Sequence, residues 1–221
     1  MRDATSGYRQ TVAPHFRLNS PNVALYLPVP PTSTIATPPE HVVLLDLDGN
    51  PIGTMDKRSV HTANTPLHSA FSIFLFDGKG NMLSQQRAHS KKTWPGIWSN
   101  ACCGHPASGE SHLDAAHRRL EQELGLTQIE LMNALPNFRY RAELDGIVEN
   151  EICPVFIGQC SVEPTPNPKE VAATEWIPWK TFADSCKGLT QTRFDSFSPW
   201  SHLEGQLLLE HPLIDQFVGT A

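Results

Sequence analysis

The sequence predicts a single α+β domain built as an α/β/α sandwich, with helices on both faces of a mixed sheet. Short apolar runs recur and each closes on a turn: H-V-V-L-L-D-L-D at 41–48 meets Gly49, Asn50 and Pro51, and A-F-S-I-F-L-F at 70–76 meets Asp77 and Gly78. One segment, 111–124, instead repeats its apolar residues at helical intervals and stops at Gly125. At 221 residues the chain suits one core, since a fold of this size buries about 70% of its extended surface without covalent staples.

Bulk properties exclude several classes. A net charge of −6 argues against a nucleic-acid surface, which needs a basic stripe. The cysteine count of 5 is odd, and Cys102 and Cys103 are adjacent, so a disulfide framework is not expected and a reducing, cytoplasmic setting is. No apolar run approaches the roughly 18 residues of a membrane span, and no apolar leader opens the chain.

Taken in order, residues 1–39 are rich in Pro, Ser and Thr and lack a periodic apolar face, so they are expected to form an extended or disordered extension before the domain at 40–221. Arg2, Arg9 and Arg17 against the single acid Asp3 give this segment a faint likeness to an organelle transit peptide; a tail or a partner-contacting arm is the plainer reading. The run at 41–48 is a strand, and 70–76 pairs with 81–86 in a hairpin. His61 and His68 lie between them with Pro66 intervening, so one regular helix does not carry both. On the helix from Ser111, Leu113, Ala116, Leu120 and Leu124 form the buried stripe, while Arg118, Arg119, Glu121 and Glu123 fall largely off it. Residues 138–160 read as two strands around Asp145 and Gly146, and alternation sends Glu149 and Glu151 to one side of the sheet. Carboxylates so placed repel each other unless a cation or a shared proton joins them. A proline-rich loop at 163–168 precedes a short strand and helix, and Pro199 suits the first turn of a last helix docked by Leu203, Leu207, Leu208 and Leu209.

Reactive groups are concentrated at 90–125. Gly104, Glu110, Arg118, Leu120, Glu123, Gly125 and Leu126 fall on the Nudix box, G-x5-E-x7-R-E-U-x-E-E-x-G-U with U aliphatic, but Arg119 and Gln122 stand where the box has glutamates. A Nudix-like fold is therefore expected, while hydrolysis loses carboxylates that hold the activating metal. The stretch W-P-G-I-W-S-N-A-C-C-G-H-P, with H-T-A-N-T-P-L-H at 61–68, F-R-Y-R at 138–141, G-I-V-E-N-E at 146–151 and F-S-P-W at 197–200, closely resembles the type I isopentenyl-diphosphate delta-isomerases.

That resemblance implies a small prenyl diphosphate substrate and a C=C shift between isopentenyl and dimethylallyl diphosphate. It implies Cys103 and Glu151 as the acid-base pair, assisted by Tyr140, and Trp200 with its π face toward a developing cation. It places the diphosphate on Lys57, Arg87, Lys91, Arg119 and Gly104. His61, His68, His105, Glu149 and Glu151 match the family's metal ligands, a mixed nitrogen and oxygen set suited to Zn²⁺ or Mn²⁺, and Glu123 would hold a substrate-linked Mg²⁺. Arg119 then has a reason, since a cation there binds a diphosphate rather than cleaving it. A monomer or weak dimer is expected. A Nudix pyrophosphatase and a catalytically silent binding module are the alternatives.

Overall fold

The computed structural model describes residues 40–189 and 193–218; the N-terminal extension expected at 1–39 lies outside the described residues. The chain opens on β1 (His41–Leu45) and β2 (Pro51–Asp56), then α1 (Lys57–Val60) and β3 (His68–Ser69). β4 (Phe71–Phe76), β5 (Asn81–Arg87), β6 (Trp98–Ser99) and β7 (Cys102–Gly104) follow and lead into α2 (His112–Leu124). After it come β8 (Leu131–Leu135), β9 (Arg139–Leu144), β10 (Ile147–Ile152), β11 (Val155–Gln159) and β12 (Val171–Pro178), then α3 (Trp179–Cys186), a 3-10 turn (Arg193–Ser196), α4 (Pro199–Leu208) and α5 (Ile214–Val218).

The strands form two sheets rather than one. A 5-stranded sheet runs β2-β1-β3-β10-β9, and a 7-stranded sheet runs β12-β5-β4-β11-β8 with β6 on β5 and β7 on β4. Each is mixed, through the parallel pairs β3/β10 and β4/β11. β4 is buried along its whole length, which is why F-S-I-F-L-F is nearly continuously apolar. Phe71, Ile73 and Leu75 pack with Ala116, Leu120 and Leu124 of α2. Phe74 and Phe76 pack on the other side with Trp179 and Phe182 of α3 and Leu208 of α4. The 7-stranded sheet is thus the filling of the expected sandwich.

The same two chain segments build both sheets. β3 continues into β4, and β10 into β11, so one parallel pair passes from sheet to sheet, bridged by Ala70 N donating to Ile152 O at 3.0 Å and Ser72 N to Pro154 O at 3.1 Å. β7 adds to β4 at this seam, with Cys103 opposite Ser72.

Two helices differ from expectation. α2 begins as expected, with Ser111 accepting the Asp114 N–H, and ends on Gly125, whose φ of 66° a side chain would resist. Leu113, however, is 41% exposed, while Arg119 and Glu123 are 5% and 4% exposed. These two face inward because each neutralises the other one turn apart. On α4, Leu203 and Leu207 are exposed; the buried face is Trp200, Ser201, Glu204, Gly205 and Leu208. Pro199 occupies the first turn behind the Ser198 cap, as the sequence predicts. Among the described residues no helix is long and apolar enough to cross a membrane.

Candidate active site

The seam places the metal-ligating candidates. His61 caps the end of α1, His68 lies in β3 directly opposite Glu151 of β10, and His105 follows β7. The donor atoms of His61, His68, His105 and Glu151 lie within 4.8 Å of one another. Glu151 Oε1 is 3.2 Å from Nε2 of both His68 and His105. Glu149, the fifth expected ligand, stands beside this group with Oε2 3.1 Å from His61 Nε2. His68 Nδ1 lies 2.9 Å from the Pro66 carbonyl oxygen, which fixes the proton there and leaves the Nε2 lone pair facing the cluster. Nε2 of His61 and of His68 and Oε2 of Glu149 are buried yet have no partner in hydrogen-bonding geometry. Buried nitrogen and oxygen atoms that converge with several left unpartnered fit a divalent cation, and this donor mixture suits a first-row metal.

Charge in the cluster is settled by proximity. Burial opposes ionisation of Glu151, but the adjoining His105 and His68 imidazoles outweigh it and hold the carboxyl well below its usual range. Burial and the Glu151 charge raise Glu149. Burial drives the His105 imidazole down to about 3, so it is neutral and free to ligate.

Beside the metal ligands, the Tyr140 hydroxyl donates to Glu151 Oε2 at 2.8 Å from the paired position on β9. Burial, reinforced by the Glu151 charge, pushes the Tyr140 phenol well above its ordinary value. The Trp200 ring lies 6.2 Å from that of Tyr140 and 5.2 Å from that of Trp94, and its Nε1 donates to Ser99 Oγ at 3.0 Å. The indole is therefore held at its Nε1 edge. Cys103 Sγ is 3.4 Å from both Ser72 Oγ and Asn100 Oδ1, and burial pushes its thiol up to about 12. Cys103, Glu151, Tyr140 and Trp200 all line one cavity of about 340 Å³.

The same cavity also carries cations, with Lys57, Arg87, Lys91 and Arg119 in its lining. Arg119 pairs with Glu123 and with Glu170 at 3.0 Å, Lys91 pairs with Glu170, and Lys57 pairs with Glu40 at 2.6 Å. Arg87 donates to the Thr93 carbonyl at 3.0 Å, and its buried Nε has no partner. A Cβ on Gly104 would lie 2.9 Å from Phe71 Cζ and 3.1 Å from Arg119 Cγ, so only glycine lets β7 lie this close to the cation. Glu123, the residue expected to hold Mg²⁺, lines the cavity, pairs with Arg119 and lies 3.3 Å from Gln85 Nε2.

All fourteen residues singled out by the sequence fall in or beside this one cavity. Others were not foreseen. Lys92 lines the cavity next to Lys91 and could have been read from the Lys-Lys doublet. Glu170, which joins Lys91 to Arg119, stands just after the proline-rich loop, in a segment that gives no periodic signal. Asn100 and Glu204 sit behind Cys103, fully buried.

Because the unpartnered donors repel without an ion, chelation of divalent metal is expected to lower the melting temperature by about 5 °C or more and to stop turnover. Calorimetry and an activity assay check it, with Zn²⁺ or Mn²⁺ restoring both.

Comparison with known proteins sets this geometry in context. The NUDIX domain profile matches residues 66–197. The isopentenyl-diphosphate Delta-isomerase of Saccharopolyspora erythraea is 50% identical over 173 residues, covering 77% of this chain and 87% of that protein. Its namesake in Mycolicibacterium vanbaalenii is 54% identical over 142 residues, covering 64% and 78%. That of Shigella dysenteriae is 47% identical over 162 residues, covering 73% and 87%. Among solved structures, a Deinococcus radiodurans protein superposes with a TM-score of 0.57 at 16% identity, covering 74% of this chain and 96% of its own. A Nudix hydrolase from M. smegmatis does so at 0.50 and 18%, covering 81% and 97%. At such identities these two speak for the fold alone.

Proposed function

This chain belongs to the isopentenyl-diphosphate delta-isomerases of the Nudix superfamily, and from that premise we propose how its own residues interconvert isopentenyl and dimethylallyl diphosphate. The reading rests on one observation: Cys103 and the Tyr140–Glu151 pair line the same cavity as Lys57, Arg87, Lys91 and Arg119. A diphosphate held there by charge-assisted hydrogen bonds extends its short hydrocarbon tail between sulfur and carboxylate.

Isomerisation needs a proton added at the terminal alkene carbon and another removed from the carbon two bonds away, with positive charge on the carbon between. One of Cys103 and the Glu151–Tyr140 pair gives the first proton, and the other accepts the second. His61, His68, His105 and Glu151, with Glu149 beside them, would hold a Zn²⁺ or Mn²⁺, which supplies charge that keeps Glu151 ionised and oriented. Glu123 would hold a Mg²⁺ shared with the diphosphate. Buried aromatic walls, Tyr140 and Trp200, the second packed on Trp94, keep water from the cation.

Trp200 lowers the barrier through its ring. A desolvated cation over indole gains about 2 kcal/mol. Trp200→Leu is then expected to cut kcat about 30-fold with KM within about twofold, the mark of an interaction made in the transition state. Steady-state kinetics on the purified variant decides it.

The test of the reading as a whole is NMR of the isopentenyl substrate in D₂O with defined metals. Dimethylallyl product carrying deuterium supports it, and phosphate release with Mg²⁺ and no such product would favour hydrolysis instead. Arg119 and Gln122 in place of box glutamates support the isomerase. All five cysteines are free thiols, which supports a reducing, cytoplasmic setting.

A further inference from the structure

With Cys103 read as a hydrogen-handling group, one buried acid is left without a part. Glu204 on α4 is 0% exposed. Its Oε2 lies 2.8 Å from Ser72 Oγ, its Oε1 has no hydrogen-bond partner, and no ion pair found among the described residues includes it. Burial drives its carboxyl well above the usual range, against the Ser72 hydrogen bond and with the charge of Glu151. It is thus a neutral acid, able both to donate and to accept. An apolar side chain of the same size would fill the space without desolvating a polar group, so folding does not account for it.

The neighbours define what it can do. Ser72 Oγ accepts from Asn100 Nδ2 at 2.8 Å and lies 3.4 Å from Cys103 Sγ. Asn100 Oδ1 receives the hydroxyls of Ser99 at 2.8 Å and Ser201 at 2.9 Å, so the thiol of Cys103, at 3.4 Å, is the longest of its three contacts. The Ser72 hydroxyl is left with one proton and one free lone pair to divide between Glu204 and the sulfur. When its proton points to Glu204, the lone pair faces Cys103 and accepts the S–H. When the Glu204 O–H donates to Ser72, the Ser72 proton faces a sulfur that has none.

We propose that Glu204 is a positioning residue that lets the single hydroxyl of Ser72 serve the Cys103 sulfur in both of its states, with and without its hydrogen. No proton leaves along the chain; the Ser72 and Glu204 hydroxyls only reorient. The inference rests on the reading of Cys103 given above.

The experiment combines Glu204→Met, Glu204→Gln, Ser72→Ala and the Glu204→Met/Ser72→Ala double variant, with Cys103→Ala as control. The methionine variant is expected to lose about tenfold in kcat with KM within about twofold and to melt at or above the native temperature. Glutamine carries both a donor and an acceptor, so Glu204→Gln should recover most of that rate. Ser72→Ala should match Glu204→Met, and the double variant should be no slower than either, because both cut one chain. Native kcat in the methionine variant, a glutamine variant as slow as methionine, or losses that multiply in the double variant would each overturn the proposal. If Cys103→Ala itself kept turnover, the role of the sulfur would fall first; an inactive Cys103→Ala beside a fully active Glu204→Met removes Glu204 alone.

Discussion

Cys103→Ala is expected to lower turnover at least about 1,000-fold, within the range that positioned proton transfer contributes, while the protein stays folded and still binds diphosphate. The strand explains why the fold survives. Cys103 enters the sheet through its backbone, opposite Ser72 on β4, and alanine keeps that pairing. Its sulfur makes only long contacts, 3.4 Å to Ser72 and to Asn100, so little packing is lost. Lys57, Arg87, Lys91 and Arg119 come from other elements and are untouched. Deuterium incorporation in D₂O, melting temperature and binding of inorganic pyrophosphate measure the three parts separately. Residual turnover of more than a few per cent would remove the sulfur from the mechanism.

Glu151→Gln is expected to be as inactive but to fail differently. Glu151 accepts from Tyr140 through Oε2 and faces His68 and His105 through Oε1. An amide keeps the size and one acceptor but loses the charge, and its NH₂ group presents donors where an acceptor is needed. Removing one partner of a buried charged cluster typically costs about 3–5 kcal/mol, so melting should fall by about 10 °C. Bound metal, measured by atomic emission after dialysis, should drop with it, whereas Cys103→Ala should retain its metal. A glutamine variant with native metal content and native melting would show that Glu151 does not anchor the cluster.

How much of this was legible depends on the range of the interaction. Ser111, Gly125 and the alternation that puts Glu149 and Glu151 on one face are local, and the sequence carries them. The seam is not local: β3 has two residues, and C-C-G in β7 reads as a turn until pairing with β4 makes it a strand. Arg119 and Glu123 look like an exposed pair one turn apart; only the carboxylate of Glu170, supplied from 51 positions away, and the cavity wall show them to be interior. Glu204 lies in a leucine-rich helix, where helical spacing cannot say that the face bearing a carboxylate is buried and the face bearing Leu203 and Leu207 is wet. Resemblance to a family supplied the catalytic and metal positions, but it had nothing to say of the groups standing behind them.

The carboxylates that already answer Lys57, Lys91 and Arg119 carry a consequence for traffic through the site. Reactant and product bear the same head group and differ only in where a double bond lies. An anchor of bare cations would grip both alike and leave each molecule stranded after its rearrangement. With Glu40, Glu123 and Glu170 ready to reclaim their partners, a diphosphate bound to these cations would leave by a swap of anions rather than the exposure of naked charge, which eases the release of reactant and product alike.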